Sequence, residues 1–180
     1  MSPVPPFRQL HLVGMPGAGK TTLGRALAVA YQVPFLDLDE EITRREQRSI
    51  AAIFAAEGEA YFRGREAAVL REVLQRPGAF VLATGGGTPC FHHNLEALQQ
   101  TGLVLYLEVP VPELVRRVLA SAATRPLLAA APTAEALRER LDETLRARTQ
   151  FYARASLCCT APACTVEDVQ RLLGAYYTTG

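Results

Sequence analysis

Lysine is almost missing from this sequence: of 19 basic residues in a chain of 180, Lys20 is the sole lysine. A surplus of either charge is missing too, because 18 acidic residues leave a net charge of only +1. No general field therefore draws nucleic acid or an anionic membrane to the protein, and any anion it binds must be met by local groups. No apolar run approaches the roughly 18 uninterrupted residues of a membrane span. The start, Met1-Ser2-Pro3-Val4-Pro5-Pro6, lacks the basic-then-apolar pattern of a signal peptide. Together these absences predict a cytoplasmic protein with neither a membrane nor a nucleic-acid partner.

Cysteine is sparse and badly spaced for a metal. Cys90, Cys158, Cys159 and Cys164 include no C-x-x-C pair, and they are expected to be free, mostly structural thiols, as suits a reducing compartment. His92 and His93 read as solvated residues at a helix start rather than ligands. No Ser/Gly/Pro-rich linker, internal repeat or low-complexity tract divides the chain, so its 49% hydrophobic content is expected to fill one core, in a single domain over 1–180.

What is present is an alternation of strand and helix patterns. Gln9–Val13 is a short apolar run that leads into glycines, and Leu23, Ala26, Leu27, Ala30 and Tyr31 follow at helical spacing. Val33–Asp37, Phe80–Ala83 and Leu103–Leu107 read as further strands, near-continuously apolar as a sheet covered on both faces requires; Leu157–Thr160 is a weaker fifth. Helical patterns cover Ser49–Gln75 with a break at Gly58, then Pro112–Ser121, Thr133 to Ala153, and Thr165–Tyr177. The predicted fold class is α/β: three layers, with a five-stranded parallel sheet flanked by helices. Two stretches fit the alternation poorly. The helical stretch 39–75 is too long for a crossover and is expected to project over the C-terminal edge of the sheet as a substrate-binding insertion. The Ala/Pro-rich stretch 118–132 has little periodicity and reads as a mobile lid.

Gly14-Met15-Pro16-Gly17-Ala18-Gly19-Lys20-Thr21 fits G-x-x-x-x-G-K-[ST] after a strand and before a helix, the context that makes the motif specific. Its glycines let backbone N–H groups turn inward around phosphates, the helix N-terminus adds its dipole, and the Thr21 hydroxyl suits Mg²⁺. The expected ATP contacts are Gly17, Ala18, Gly19, Lys20, Thr21 and Thr22. A chain that uses arginine everywhere else has kept a compact ammonium where a point charge must fit between phosphates.

Asp37 and Asp39 end the second strand two residues apart, so alternation would aim both the same way, with Leu38 turned away. One suits a hydroxyl that must lose its proton, the other the metal side; capping of the next helix by Asp39 is the plainer reading and is compatible with both. Glu66 falls on an apolar helical stripe with Phe62, Val69 and Val73, where an unpaired carboxylate is costly, so an arginine partner is expected. Arg63 is near. Gly85-Gly86-Gly87 follows the third strand and permits close backbone approach; no acid ends that strand, which leaves Asp37 available to a metal. Leu137, Leu141, Leu145, Arg148 and Tyr152 share a helical sector of about 80°, so Arg148 lies on a buried stripe, facing either an ion-pair partner or a carboxylate in the cleft. Arg125, in the expected lid, would reach the phosphates on closure.

Taken in order, Gly14-x-x-x-x-Gly19-Lys20-Thr21, Asp37-Leu38-Asp39, Phe62-Arg63-x-x-Glu66, Gly85-Gly86-Gly87, Arg125-Pro126-Leu127-Leu128 and Arg148-x-x-x-Tyr152 resemble the shikimate kinase family over about residues 10–152. The resemblance implies a P-loop kinase fold and Mg²⁺-dependent transfer of the ATP γ-phosphoryl group to the 3-hydroxyl of shikimate. It further implies that Asp39, Arg63, Gly86 and Arg148 bind shikimate, Asp39 as base and the two arginines on the carboxylate. Lys20 and Arg125 would stabilise the transferring phosphoryl group, and Thr21 would hold Mg²⁺ with Asp37 on its water shell. A monomer is expected. The family's adenine loop reads Ala161-Pro162-Ala163-Cys164 here and lacks the arginine often found there, so no adenine contact is assigned to it.

Overall fold

The computed structural model describes residues 5–120, 133–160 and 164–178. Strands β1 (Gln9–Val13), β2 (Phe35–Asp37), β3 (Phe80–Ala83), β4 (Leu103–Glu108) and β5 (Leu157–Thr160) form one parallel sheet in the order β2-β3-β1-β4-β5. Every residue of β1 and β3 is buried, which is why these strands carry continuous apolar runs rather than an alternating pattern. β2 starts at Phe35, two residues later than the sequence suggests. Pro34 has no N–H to give the ladder, although its carbonyl accepts from Val81 N at 3.0 Å.

Among the described residues the helices are α1 (Lys20–Tyr31), α2 (Leu38–Glu46), α3 (Ile50–Leu74), α4 (Asn94–Thr101), α5 (Val111–Ala120), α6 (Ala134–Tyr152) and α7 (Val166–Thr178), with a 3₁₀ turn at Thr88–Cys90. α1 and α7 pack together. On the opposite side of β1, Gln9 Nε2 donates to the carbonyl of Leu74 in α3 at 3.0 Å, and His11 Nε2 lies 3.2 Å from Thr101 Oγ1 in α4. The strand period of two therefore turns Gln9 and His11 toward one helix layer and Leu10 and Leu12 toward the other. All the strands point the same way, so the segments after β1, β2 and β3 meet at one edge of the sheet, where ligands of open α/β sheets bind.

The long helical stretch after β2 divides in two. α2 ends at Gln47 in the left-handed region (φ 53°), and Ser49 opens α3 by accepting from Ala52 N at 3.1 Å. Gly58 then breaks α3 as expected, with φ 79° and ψ 177°, a conformation only glycine adopts readily. Glu46 ties α2 to α3 by accepting from Arg65 at 2.6 Å and from Tyr61 at 3.1 Å. Residues 118–120, where the lid was expected to begin, complete α5, and Val118 is buried; 121–132 lie outside the described residues. Among the described residues no helix is long and apolar enough to cross a membrane.

The cysteines correct the expectation of free thiols. Cys159 and Cys164 form a disulfide across a separation of five residues, whereas Cys90 and Cys158 are free. β5 ends just past Cys159 and α7 starts just past Cys164, and the two Cα atoms lie 6.2 Å apart, inside bonding reach. His93, as expected, is an exposed residue at the start of α4.

Candidate active site

β1 delivers the chain into Gly14, Gly17 and Gly19, all at positive φ (143°, 83° and 96°), and Gly19 is the N-cap of α1. Gly14 also abuts β4: a Cβ placed there would lie 2.8 Å from the Leu107 carbonyl oxygen. The loop thus wraps the α1 N-terminus, and positive φ at its glycines is the geometry that lets backbone amides face an anion. The buried Lys20 donates to the carbonyls of Gly14 at 2.8 Å and Met15 at 2.9 Å, which keeps its ammonium in the mouth of the loop. Thr21, one residue on, donates to Asp37 Oδ2 at 2.8 Å.

Asp37 and Asp39 do converge on this loop, but not by strand alternation. The strand stops at Asp37, and Leu38 is already the first residue of α2. Asp37 caps that helix, its Oδ1 accepting from Asp39 N at 3.0 Å and more weakly from Glu40 N at 3.4 Å. Asp39 sits in the first turn rather than at the cap. Its side chain is open to solvent, yet protein atoms crowd the carboxyl. That crowding is the main reason its pKa rises to about 6; the charges of Asp37 and Glu66 add to the rise, and Lys20 and Arg63 oppose it.

Glu66 is fully buried and has the arginine partner its position demanded. Arg63 Nη1 donates to Oε2 at 2.9 Å, and Thr88 Oγ1 donates to Oε1 at 2.7 Å. The other edge of the Arg63 guanidinium, Nε and Nη2, meets Oε1 of Glu59, each at 3.2 Å. Phe91 lies under it, with Cζ 4.4 Å from the ring centroid. Arg148, on α6, brings its buried Nη1 to the same place, and that atom has no hydrogen-bond partner among the described residues.

The three glycines after β3 explain why these groups can meet. None of them is at positive φ. What they provide is room. A Cβ on Gly85 would lie 3.2 Å from Asp39 Oδ1 and 3.1 Å from Glu66 Oε1; on Gly86, 2.7 Å from Pro16 Cδ and 3.0 Å from Arg148 Nη1; on Gly87, 2.6 Å from Arg63 Nη2. The sequence suggested room for a ligand, and the loop in fact first makes room for the protein's own side chains. The P-loop, Asp39, Arg63 and Arg148 thereby surround one short backbone segment. Thr22 is exposed beside Thr21, and Arg125 lies outside the described residues.

Sequence reasoning missed three contributors. Arg117 of α5 donates to the Ala18 carbonyl at 3.0 Å and braces the P-loop from outside. Its only sequence signal is the spacing to Glu113, which accepts from it at 2.6 Å. Glu59 gave no signal, since it follows the helix break. Tyr152 was visible on the buried stripe, but not the contact of its hydroxyl with the Gly86 carbonyl at 2.6 Å.

A strand that turns through such a loop into a helix, at the C-terminal edge of this parallel sheet, defines a P-loop nucleotide-binding protein. A sequence model of the family described as shikimate kinase matches residues 16–175. The chain belongs to the shikimate kinase family and is an ATP-dependent kinase. It is 36% identical over 163 residues to a shikimate kinase of Azobacteroides pseudotrichonymphae, an alignment that spans 91% of this chain and 95% of that one. Its fold superposes on the crystal structure of shikimate kinase from Bacteroides thetaiotaomicron with a TM-score of 0.87 and 35% identity, over 95% of this chain and 99% of the other. Shikimate kinase from Acinetobacter baumannii, solved in complex with shikimate, gives a TM-score of 0.83 and 38% identity over 96% and 94% of the two chains.

Proposed function

We propose that this chain holds ATP in the Gly14–Thr21 loop and transfers its γ-phosphoryl group to the 3-hydroxyl of shikimate, as a cytoplasmic monomer. The observation that carries the reading is the convergence on Gly85–Gly87 of one carboxylate, Asp39, and two guanidinium groups, Arg63 and Arg148. A small acid that also carries hydroxyls fits that set. Arg148 Nη1, buried without a hydrogen-bond partner among the described residues, is a cation prepared for an incoming carboxylate, and Arg63, held on one edge by Glu66, would be the second once its other edge is released from Glu59.

In this reading Asp39 accepts the proton of the hydroxyl as the oxygen bonds to the γ-phosphorus and the bond to the β-phosphate oxygen breaks, releasing ADP. A pKa near 6 suits that role, because the carboxylate is mostly ionised at neutral pH yet basic enough to draw the proton. Lys20 stabilises charge on the phosphate oxygens, and Arg125 is proposed to add to this from the 121–132 segment. Thr21 Oγ and the Asp37 carboxylate are hard oxygen donors next to each other, the set that suits Mg²⁺ bound with nucleotide phosphates. When bound there, Mg²⁺ would supply charge neutralisation at the phosphates.

The test is ADP release with shikimate, gluconate and a nucleoside monophosphate offered separately as acceptors. Turnover with shikimate alone is expected, and turnover only with either of the others would overturn the proposal.

A further inference from the structure

The glycine loop that gathers the site is made of the residue type least able to hold a shape by itself. Two of its three carbonyls are fixed by the local turn, Gly85 O accepting from Thr88 N at 3.1 Å and Gly87 O from Cys90 N at 2.9 Å. The middle carbonyl, Gly86 O, is held from far along the chain. Tyr152 donates its hydroxyl to it at 2.6 Å across 66 residues.

That tyrosine is built to stay where it is. It is 1% exposed, and its ring stacks on Tyr106 of β4 at 4.9 Å between centroids with planes 20° apart. Its oxygen lies 3.9 Å from the sulfur of Met15 in the P-loop. Burial also raises the pKa of the phenol, so it remains a donor throughout the working pH range. One turn earlier on the same helix is Arg148, whose Nη1 would lie 3.0 Å from a Cβ on Gly86.

The geometry points to Tyr152 as a positioning residue for the acceptor. Its hydroxyl fixes the Gly86–Gly87 peptide plane and thereby sets the gap between that backbone and the two arginines, Arg148 above Gly86 and Arg63 against Gly87. It touches neither ATP nor acceptor. The inference rests on the acceptor reading given above and adds one thing to it: the anion-binding half of the site is tuned by a neutral hydrogen bond from outside.

Tyr152→Phe keeps the ring, its stacking and its burial, and removes the hydroxyl, with its hydrogen bond to Gly86 and its contact with the Arg148 guanidinium. Loss of a neutral hydrogen bond of this kind is expected to raise the KM for shikimate roughly three- to tenfold. The KM for ATP should stay within about twofold, since the P-loop has its own hydrogen bonds. Tyr106→Phe, which keeps the stacked pair and both hydrogen-bonding partners at Gly86, should leave both constants unchanged. Equal constants for Tyr152→Phe and the parent would overturn the assignment. So would a parallel rise in both KM values with a fall in melting temperature, the mark of a purely structural residue. If the parent does not turn over shikimate at all, the acceptor reading fails instead, which keeps the two failures apart.

Discussion

Thr21 and Asp37 are joined by a hydrogen bond of 2.8 Å that links the first turn of α1 to the end of β2. Asp37 therefore has two duties, since its other oxygen caps α2. Asn at this position still caps a helix but carries no charge. Asp37→Asn should leave the fold intact and raise the Mg²⁺ concentration needed for half-maximal turnover by roughly tenfold or more. A Mg²⁺ titration of activity at saturating ATP measures this, and an unshifted midpoint would remove Asp37 from the metal side.

Asp39→Asn should lower turnover by roughly a hundredfold or more while nucleotide binding stays nearly intact. The pH dependence carries a sign. With a folded pKa of about 6 and ionisation required, kcat/KM of the parent should fall as pH drops through 6, approaching a tenfold loss per further pH unit. The residual activity of Asp39→Asn should lack that limb. An acid limb that persists in the variant would assign it to another group.

Two glycine substitutions should act in opposite ways. In Gly87→Ala the new methyl meets Arg63 Nη2 at 2.6 Å, so the guanidinium must shift, and the KM for shikimate should rise roughly ten- to a hundredfold with little change for ATP. Gly64→Ala lies within α3 with nothing among the described residues inside 4 Å of the new carbon beyond its chain neighbours and its own helix backbone. It should stabilise the protein by about 0.5–1 kcal/mol, a melting temperature higher by roughly 1–4 °C, with activity unchanged.

The Cys159–Cys164 bridge closes a short loop, for which chain entropy gives a stabilisation of roughly 2 kcal/mol. Paired replacement by serine, Cys159→Ser with Cys164→Ser, should lower the melting temperature by roughly 4–8 °C under non-reducing conditions. Added reductant should bring the parent to the same value. A parent insensitive to reductant would show that the bridge contributes nothing to stability.

His11 should make the protein acid-sensitive. Thr101 directs its hydroxyl hydrogen to the carbonyls of Ala97 and Leu98, so His11 Nε2 is the donor between them and the buried Nδ1 lacks a partner. Burial lowers the pKa from 6.5 to about 3. The unfolded chain therefore binds a proton that the folded chain refuses, and the contribution of His11 to stability is greatest above pH 6.5 and declines progressively from there toward pH 3. His11→Leu should flatten that part of the profile in urea unfolding followed across pH; an identical slope would clear His11.

Most of the fold was legible because hydrophobic continuity, glycine breaks and caps are local signals. β1, β3 and β5 have the bounds the apolar runs suggest, and Gly58 interrupts α3 where the pattern does. The end of β2 was harder. Asp37-Leu38-Asp39 reads equally well as the end of a strand or the start of a helix, and only the cap geometry separates the two. In the site, Glu66 announced its need for a cation because a buried carboxylate is expensive, and Arg63 meets it. Which glycine meets which side chain was not legible, nor was the pairing of Cys159 with Cys164. The glycine contacts are set by how segments after different strands approach one another, which no local pattern records, and the cysteine pairing by how close the end of β5 lies to the start of α7.

The scarcity of lysine has a practical side. Apart from the α-amino group, the ε-amine of Lys20 is the sole primary amine in this sequence, and it sits buried in the mouth of the phosphate loop. Amine-directed labelling, crosslinking or surface coupling thus has a single internal target, the one at which modification should silence the enzyme. Acylation and loss of activity should proceed together, and bound nucleotide should shield against both.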